Sequence, residues 1–551
     1  MAPMPETSTA SARSAAAPPP RPPLGLAALG PFRHRTFGWL WGTWLMANVS
    51  MWMNDVAAAW MMTSLTTSPV WVALVQTAAT LPVFLLGLPS GALADTLDRR
   101  RYFLSTQIWI ALVALGLCAT VWLGHLSPPV LLALVFANGI GLAMRWPVFA
   151  AIVPELVPRS QLPQALALNA VSMNASRIVG PLLAGGLIAS VGSVAVFVLN
   201  AVLAVVSAAI IWRWKRVHVQ HPLGREPLGS AMRVGWQFVR QSPRLRVVYL
   251  HIGLFFFHST ALMALLPLLA QNMQGGGPGS FTLLLATMGS GAIVAALFLP
   301  RVRQNLSRDA LVRGGTLLQS LAMAVVAWAP HVGWAVPAMF VAGVAWITTA
   351  NSLSVSAQMA LPDWVRARGM SVYQMAIMGS SALGAALWGQ AADVSSVHLS
   401  VGVAALSGVA CMALAQRFVR ERDAAGAEDL TPSRVARTPV TRVPPGSGRV
   451  VVQLEYLIDP ARATEFRALM QDSRRSRLRQ GALDWALLHD LAQPGRFVEQ
   501  ITDASWTEHL RRFERLTTGD LALRERKLAF HLPDTPPVVT RYVLEQPTAR
   551  H

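Results

Sequence analysis

What most constrains this chain is a series of twelve apolar segments, each long enough to cross a hydrocarbon core, within the first 420 residues. A spanning helix needs about 20 mainly apolar residues. The segments run at about 36–62, 69–93, 102–124, 129–152, 164–189 and 191–212, then 247–271, 280–300, 310–329, 332–357, 368–392 and 397–417. In lipid every backbone N–H and C=O must pair within the protein, so segments of this kind fold as helices.

The flanks and gaps alternate in charge. Arg33 with Arg35, Arg99 with Arg100 and Arg101, Arg159, the stretch 215–246, the stretch 301–313, Arg366 with Arg368, and Arg417 with Arg420 fall on one side. The gaps near Thr66, His125, Gly192, Gly275, His331 and Ser396 contain no Lys or Arg. Positive residues are retained on the cytoplasmic side, so both termini are expected inside and the number of spans is expected to be even. Only 13% of residues are charged, against about 25% in a soluble domain. Residues 421–551 hold 20 of the 46 Lys+Arg and 18 of the 27 Asp+Glu, leaving 26 basic and 9 acidic residues for the first 420. That basic excess lies in short gaps and not on one folded face with interleaved aromatics, which argues against a nucleic-acid partner. Cys118 and Cys411 both sit in apolar stretches, which indicates neither a disulfide framework nor a zinc site. No metal is expected.

The longest internal gap divides six spans from six. It contains GSAMRVGWQFVRQSP, in which Met232, Trp236 and Val239 recur at helical spacing beside Arg233 and Arg240, as in an interfacial amphipathic helix. PELVPRSQ at 154–161 is echoed by PDWVRARG at 362–369. Duplicated six-helix units are the architecture of many secondary transporters, with the substrate site between them near the midplane. After about 448 the pattern changes to strand, helix, strand, strand, helix, strand, the β-α-β-β-α-β order of a ferredoxin-like module. The expected fold is therefore an all-α polytopic membrane protein of twelve transmembrane helices plus a C-terminal α+β ferredoxin-like domain. The expected boundaries are a disordered tail over 1–30, a first half over 31–212, a loop over 213–246, a second half over 247–420, a linker over 421–448 and the ferredoxin-like domain over 449–546.

Charges deep in a bilayer are costly and mark functional candidates. Asp55, Arg145 and Arg177 are the clear cases. Asn48, Trp52 and Asp55 share a helical face, as do Asn138 with Arg145 and Asn169 with Arg177, and these faces are expected to line a polar cavity. By helical rise Asp55 lies roughly 9 Å outward of the middle and Arg177 close to it. Asp55 is thus a proton carrier, a residue that merely sits near the outer headgroups, or one member of a static pair with Arg177. His251 and His258, Gln358, Tyr373 and Gln374 are the polar counterparts in the second half, and Trp52 and Trp346 are candidates for an apolar substrate surface.

GALADTLDRRR at 91–101 resembles the loop motif of the major facilitator superfamily, Gly-x-Leu-Ala-Asp-Arg-x-Gly-Arg-Arg. Gly91, Leu93, Ala94, Asp95, Arg99 and Arg100 match, while Thr96 and Asp98 depart. The resemblance implies a gating role for Asp95 with Gly91, Arg99 and Arg100. RIVGPLLAGG at 177–186 resembles the Gly-Pro motif of the superfamily's proton antiporters through Gly180, Pro181 and Gly185, with Ala184 in place of a second glycine. Helix packing and coupling are both open readings of it, and it favours export. SPVWVALVQTAATLPVFLLGLPSGALADTLDRRR, PELVPRSQLPQALALNAVSMNASRIVGP and LPDWVRARGMSVYQM resemble the transmembrane secretion effector branch, which includes the enterobactin exporter.

The tail resembles an antibiotic biosynthesis monooxygenase-like domain through DWALLHDL, FVEQ and SWTEHLRRFERLT. That resemblance implies a dimeric α+β barrel, with Trp485, His489, Trp506 and His509 as pocket candidates and a homodimer through this domain as one outcome. Nothing there marks a nucleophile, metal or flavin site, so a regulatory or dimerising role is expected and catalysis is not. Together the resemblances imply a bacterial inner-membrane exporter of an amphipathic small molecule (a drug-like compound, siderophore or secreted metabolite). It would be driven by the proton gradient without a cofactor, with the lipid bilayer, its substrate and protons as partners. A membrane-anchored sensor or enzyme acting through the tail, and an uptake permease, are the alternatives.

Overall fold

A computed structural model describes residues 29–158, 161–214, 228–418, 448–532 and 536–544. The expectations for 1–28 and for the 419–447 linker lie outside these residues. Thirteen α-helices precede the tail: α1 (Arg35–Leu65), α2 (Pro69–Thr96), α3 (Arg99–Trp122), α4 (Pro128–Leu156), α5 (Leu162–Ser190), α6 (Ser193–Arg213), α7 (Leu228–Gln241), α8 (Pro243–Asn272), α9 (Pro278–Asn305), α10 (Arg308–Trp328), α11 (Val332–Met359), α12 (Asp363–Val394) and α13 (Val397–Phe418). Several start on Pro at the first turn, where its missing N–H costs nothing.

Ten of these helices are long and apolar enough to cross a membrane: α2–α6, α8–α11 and α13. The other two long helices, α1 and α12, carry polar residues along their length, including Asn48, Asn54 and Asp55 on α1 and Tyr373 and Gln374 on α12, and this lowers their hydropathy. A belt of exposed large apolar side chains, among them Leu112, Leu115, Val202, Leu297, Leu321 and Leu406, faces outward as lipid requires. The protein is a multi-pass membrane protein.

The two groups of helices meet along α2 against α12 and α5 against α9. Thr77 Oγ1 donates to Ala382 O at 3.0 Å, Ser68 Oγ donates to Asp393 Oδ1 at 2.8 Å, and Gln271 Nε2 donates to Thr63 Oγ1 at 2.6 Å. Trp60 stacks on Phe281 with centroids 5.9 Å apart. All of these ties lie in the half of the bundle remote from the tail.

The tail is β1 (Arg449–Leu457), α14 (Ala463–Arg479), β2 (Asp484–His489), β3 (Arg496–Asp503), α15 (Trp506–Glu514), α16 (Thr518–Leu528) and β4 (Val539–Leu544). Its sheet is antiparallel in the order β2-β3-β1-β4. The strand and helix order is that expected from the alternating pattern, with α16 as an unexpected addition. Thr517 and Asp520 form a capping box that starts α16 immediately after α15, a signal present in the sequence.

The amphipathic helix of the inter-half loop is α7, but its buried face differs from the Met232–Trp236–Val239 stripe. Trp236 is exposed, and Val234 and Phe238 are buried with Val239. They are covered by α12 and by the tail. Phe238 meets Trp364 edge-to-face at 5.6 Å. From the tail, Arg479 lies over the Phe238 ring at 5.8 Å and Arg515 over the Trp364 ring at 5.1 Å, and Gln237 Nε2 donates to Ala482 O at 3.4 Å. Gly481 makes the approach through a φ of +108° that favours glycine; a Cβ there would meet Val234 at 2.9 Å. Cation–π contacts of this desolvated kind contribute about 2 kcal/mol. Trp364→Ala is accordingly expected to speed deuterium exchange over 478–484 by about tenfold or more. Unchanged protection there would show that the tail is held by other contacts.

Candidate functional site

In the first group of helices the polar residues separate into two places. On α1, Trp52 and Asp55 are half-buried and Asn48 is fully buried. The Arg177 guanidinium from α5 lies over the Trp52 ring at 5.4 Å. Gly180 makes this possible, since a Cβ there would meet Trp52 Cβ at 2.5 Å and Val49 O at 3.1 Å, so α5 and α1 touch by backbone. Among the described residues neither Asp55 nor Arg177 has an ion-pair or hydrogen-bond partner, and the static Asp55–Arg177 pair is not formed. Asn48 Nδ2 donates to Trp44 O at 2.7 Å, while Asn48 Oδ1, Trp52 Nε1 and Asn169 Oδ1 are buried atoms without partners. Unmet buried polar atoms are costly, which makes this face a place where a polar ligand or water would be held.

Arg145 and Asn138 belong to the second place. Both are buried, in a cavity of about 10 Å³ among α1, α3, α4 and α6 that also touches Ser50, Gln107 and Asn200. Arg145 Nη1 donates to Ala47 O at 3.2 Å and its guanidinium lies 5.6 Å over Trp44. The expectation of one cavity lined by all these faces is therefore corrected, because α4 turns Arg145 into the interior of its own helix group. The sequence reading missed Asn200. Ser50 Oγ donates to its Oδ1, and its Nδ2 donates to Asn54 Oδ1 at 3.3 Å. A lone amide in the apolar span 191–212 was the available signal.

In the second group, His258 Nδ1 is 2.8 Å from Leu254 O and its ring packs 5.9 Å from that of Trp388. Its environment is helix packing. Tyr373 is buried, donates to Ala350 O at 3.2 Å and packs on Tyr249 at 5.8 Å, whereas Gln374 beside it is half-buried. Trp346 packs edge-to-face on Phe256 at 5.3 Å.

At the α2–α3 turn, Arg99 Nη1 pairs with Glu155 Oε1 at 2.6 Å. Arg100 donates to Trp212 O and, at 3.4 Å, to Ile211 O. Asp98, a departure from the family motif, accepts from Arg101 N at 2.9 Å as the N-cap of α3. The Asp95 side chain lies outside the described part of the structure. Gly91 faces Pro147 with ordinary space for a Cβ. Farther along α5, Gly185 meets the Thr282 side chain of α9, and Pro181 sits inside the helix.

The four tail candidates also divide. Trp485 and His489 border an open groove of about 480 Å³ with Arg467, Gln471, Arg474 and Phe497, and His489 stacks on Phe497 at 4.4 Å. Trp506 and His509 are instead buried in the core, where His509 Nδ1 is 2.7 Å from Asp503 Oδ2 and Arg512 Nη2 is 3.0 Å from the same oxygen. Burial pushes the His509 imidazole below its ordinary range, outweighing Asp503. A single pocket shared by all four is thus corrected, since Trp506 and His509 do not border that groove.

Glu499 is fully buried and is met by Lys527 at 3.1 Å, Arg477 at 3.3 Å, Ser473 at 2.6 Å and Trp485 at 3.1 Å. Burial alone would raise its carboxyl, but Lys527 and Arg477 outweigh that and hold it well below its ordinary 4.5. Lys527 is pushed down to about 8 by the same burial. A carboxyl lowered on folding contributes stability fully above pH 4.5 or so, and the contribution is lost as pH falls below that. Glu499→Gln, which strands the buried Lys527 and the half-buried Arg477, is expected to cost the tail about 3–5 kcal/mol. Hydrogen exchange in β3 and α14 of the full chain measures it, and unchanged protection would mean the cations find other partners.

The family described as transmembrane secretion effector matches residues 26–548. The chain is 25% identical over 305 residues to macrolide efflux protein A of Streptococcus pyogenes, covering 54% of this chain and 73% of that protein. It is 21% identical over 376 residues to the staphyloferrin A transporter of Staphylococcus aureus, covering 67% and 93%, and 25% identical over 320 residues to an enterobactin exporter of Salmonella typhi, covering 58% and 75%. In fold it is similar to a bacterial homolog of the human lysosomal transporter Spinster in an inward-facing, unoccupied conformation, with a TM-score of 0.56 at 15% identity over 71% of this chain and 96% of that one. A POT family transporter bound to 5-aminolevulinic acid aligns with a TM-score of 0.58 at 12% identity, over 70% and 96%.

Proposed function

The chain belongs to the transmembrane secretion effector family of major facilitator transporters, and from that premise we propose that it is a twelve-helix exporter of an amphipathic small molecule, driven by protons. It would sit in a bacterial inner membrane with both termini cytoplasmic. The observation that carries the coupling is Asp55, an intramembrane carboxylate that has no ion-pair or hydrogen-bond partner among the described residues, on the same helix face as the Trp52 ring under Arg177. A carboxylate without a fixed partner is able to load and release a proton as its surroundings change. Efflux relatives for macrolides and enterobactin support the direction and the substrate class.

The ties remote from the tail support a bundle closed on the outer side, with Trp52, Arg177 and the unmet amides as the substrate surface. We read the tail, similar to monooxygenase-like domains, as a cytoplasmic regulator that acts through its arginine–aromatic contacts with α7 and α12. The test is substrate-triggered proton movement in proteoliposomes, screened with cationic dyes, macrolides and catecholate siderophores. Flux with one class supports export by antiport, whereas no flux with any class would leave the tail as the acting part.

A further inference from the structure

A basic recess opens at the tail-side end of the second helix group, away from the Asp55 site. It is a cavity of about 420 Å³ between the start of α8, the end of α9, the start of α10 and the end of α11. Arg244, Arg303 and Arg308 line it, and Asp309 is the single carboxylate, held by Arg308 at 3.4 Å. Among the described residues Arg244 and Arg303 pair with no carboxylate. Arg303 Nη2 donates to Asn351 Oδ1 at 3.2 Å, which fixes its guanidinium at the wall.

Deeper in, Ser352 is 3% exposed and its Oγ has no hydrogen-bond partner. The N-terminus of α10, a helix of 21 residues, begins at the same recess and adds the positive end of its dipole. Ser307 caps Ala310 N there. On the rim Leu306 and Met359 are 49% and 73% exposed, so an apolar surface adjoins the basic one.

Guanidinium groups with an unmet hydroxyl donor and a helix N-terminus match a phosphate group, whose oxygens accept from forked donors. The exposed leucine and methionine match acyl chains that continue from it. The cytoplasmic leaflet supplies such groups at high local concentration, and basic recesses between helices on that side bind them. In the sequence these arginines served only to orient the spans. We propose that this recess binds the phosphate headgroup of an anionic phospholipid. The inference rests on the membrane placement of the chain and not on export, so its test reads binding and not transport.

Native mass spectrometry of the full chain in neutral detergent, with phosphatidylglycerol against phosphatidylcholine, is the experiment. A preference of about tenfold for phosphatidylglycerol is expected in the unaltered protein. It should fall to parity in the Arg244→Gln, Arg303→Gln double variant and persist in Arg462→Gln, an exposed arginine of the tail. Arg244→Gln alone, expected to lower the preference about threefold, decides the matter where the double variant does not fold. Parity in the unaltered protein, or a preference that survives these substitutions, would overturn the proposal. So would millimolar inorganic phosphate displacing the lipid and stabilising the protein equally, because the source would then be soluble.

Discussion

Asp55→Asn is expected to reduce substrate-triggered proton flux in proteoliposomes by at least about a hundredfold, the order of effect found when a positioned proton-transfer group is removed. Asn keeps the size and polarity of the side chain and loses its ability to ionise. Because Asp55 makes no ion pair or hydrogen bond among the described residues, the substitution breaks no fixed contact, and the helix should pack as before. The expected signature is therefore a split. Substrate binding, measured by quenching of the Trp52 region or by direct ligand retention, stays within a few-fold, while coupled flux disappears. Proton flux at the original rate in Asp55→Asn would remove the carboxylate from the mechanism and move the search to the second helix group.

A large effect of a different kind is expected from Gly343→Val. Helices α9 and α11 cross at Gly291 and Gly343, where a Cβ on Gly343 would run into the backbone of Met288 and one on Gly291 into the backbone of Phe340. A side chain in the way can rotate aside, but a carbonyl in a hydrogen-bonded helix cannot. The two helices must therefore separate along the contact. Overpacking of this sort costs about 1–3 kcal/mol, and more where nothing relaxes; in a membrane it also forfeits the close packing that associates helices. Gly343→Val should lose its monodisperse elution in fluorescence-detected size-exclusion chromatography. Gly314→Val on α10, where nothing lies within 4 Å of the added carbon, should keep it. Equal behaviour of the two variants would show that the crossing has slack.

The membrane character was legible in the sequence because it depends on local properties. Twenty apolar residues close their own hydrogen bonds wherever they are placed, and arginines in the gaps orient them without reference to any partner. The tail was legible for a similar reason: alternation in RVVVQLEYLI and RFVEQIT and helical spacing in ATEFRALM report which face of each element is buried. Asp55, Arg145 and Arg177 stood out because charge in an apolar run is rare.

Which of these charges share a site was not legible. Helical phase puts Asn138 and Arg145 on one face of α4, but the rotation of α4 against its neighbours decides whether that face looks between the two helix groups or into one of them. Packing of Gly141 against Ile110 and of Gly139 against Pro82 sets that rotation. The same holds for the tail, where strand phase and helix spacing allow Trp485, His489, Trp506 and His509 in one pocket and the structure leaves only the first two at the open groove. Sequence alone determined the class of chain, its helical segments and the identity of its costly residues, since these follow from short-range periodicity and the price of burying charge. Only the tertiary structure decided the grouping of those residues, the docking of the tail on α7 and α12, and the basic recess, because each depends on close approach between segments tens to hundreds of residues apart.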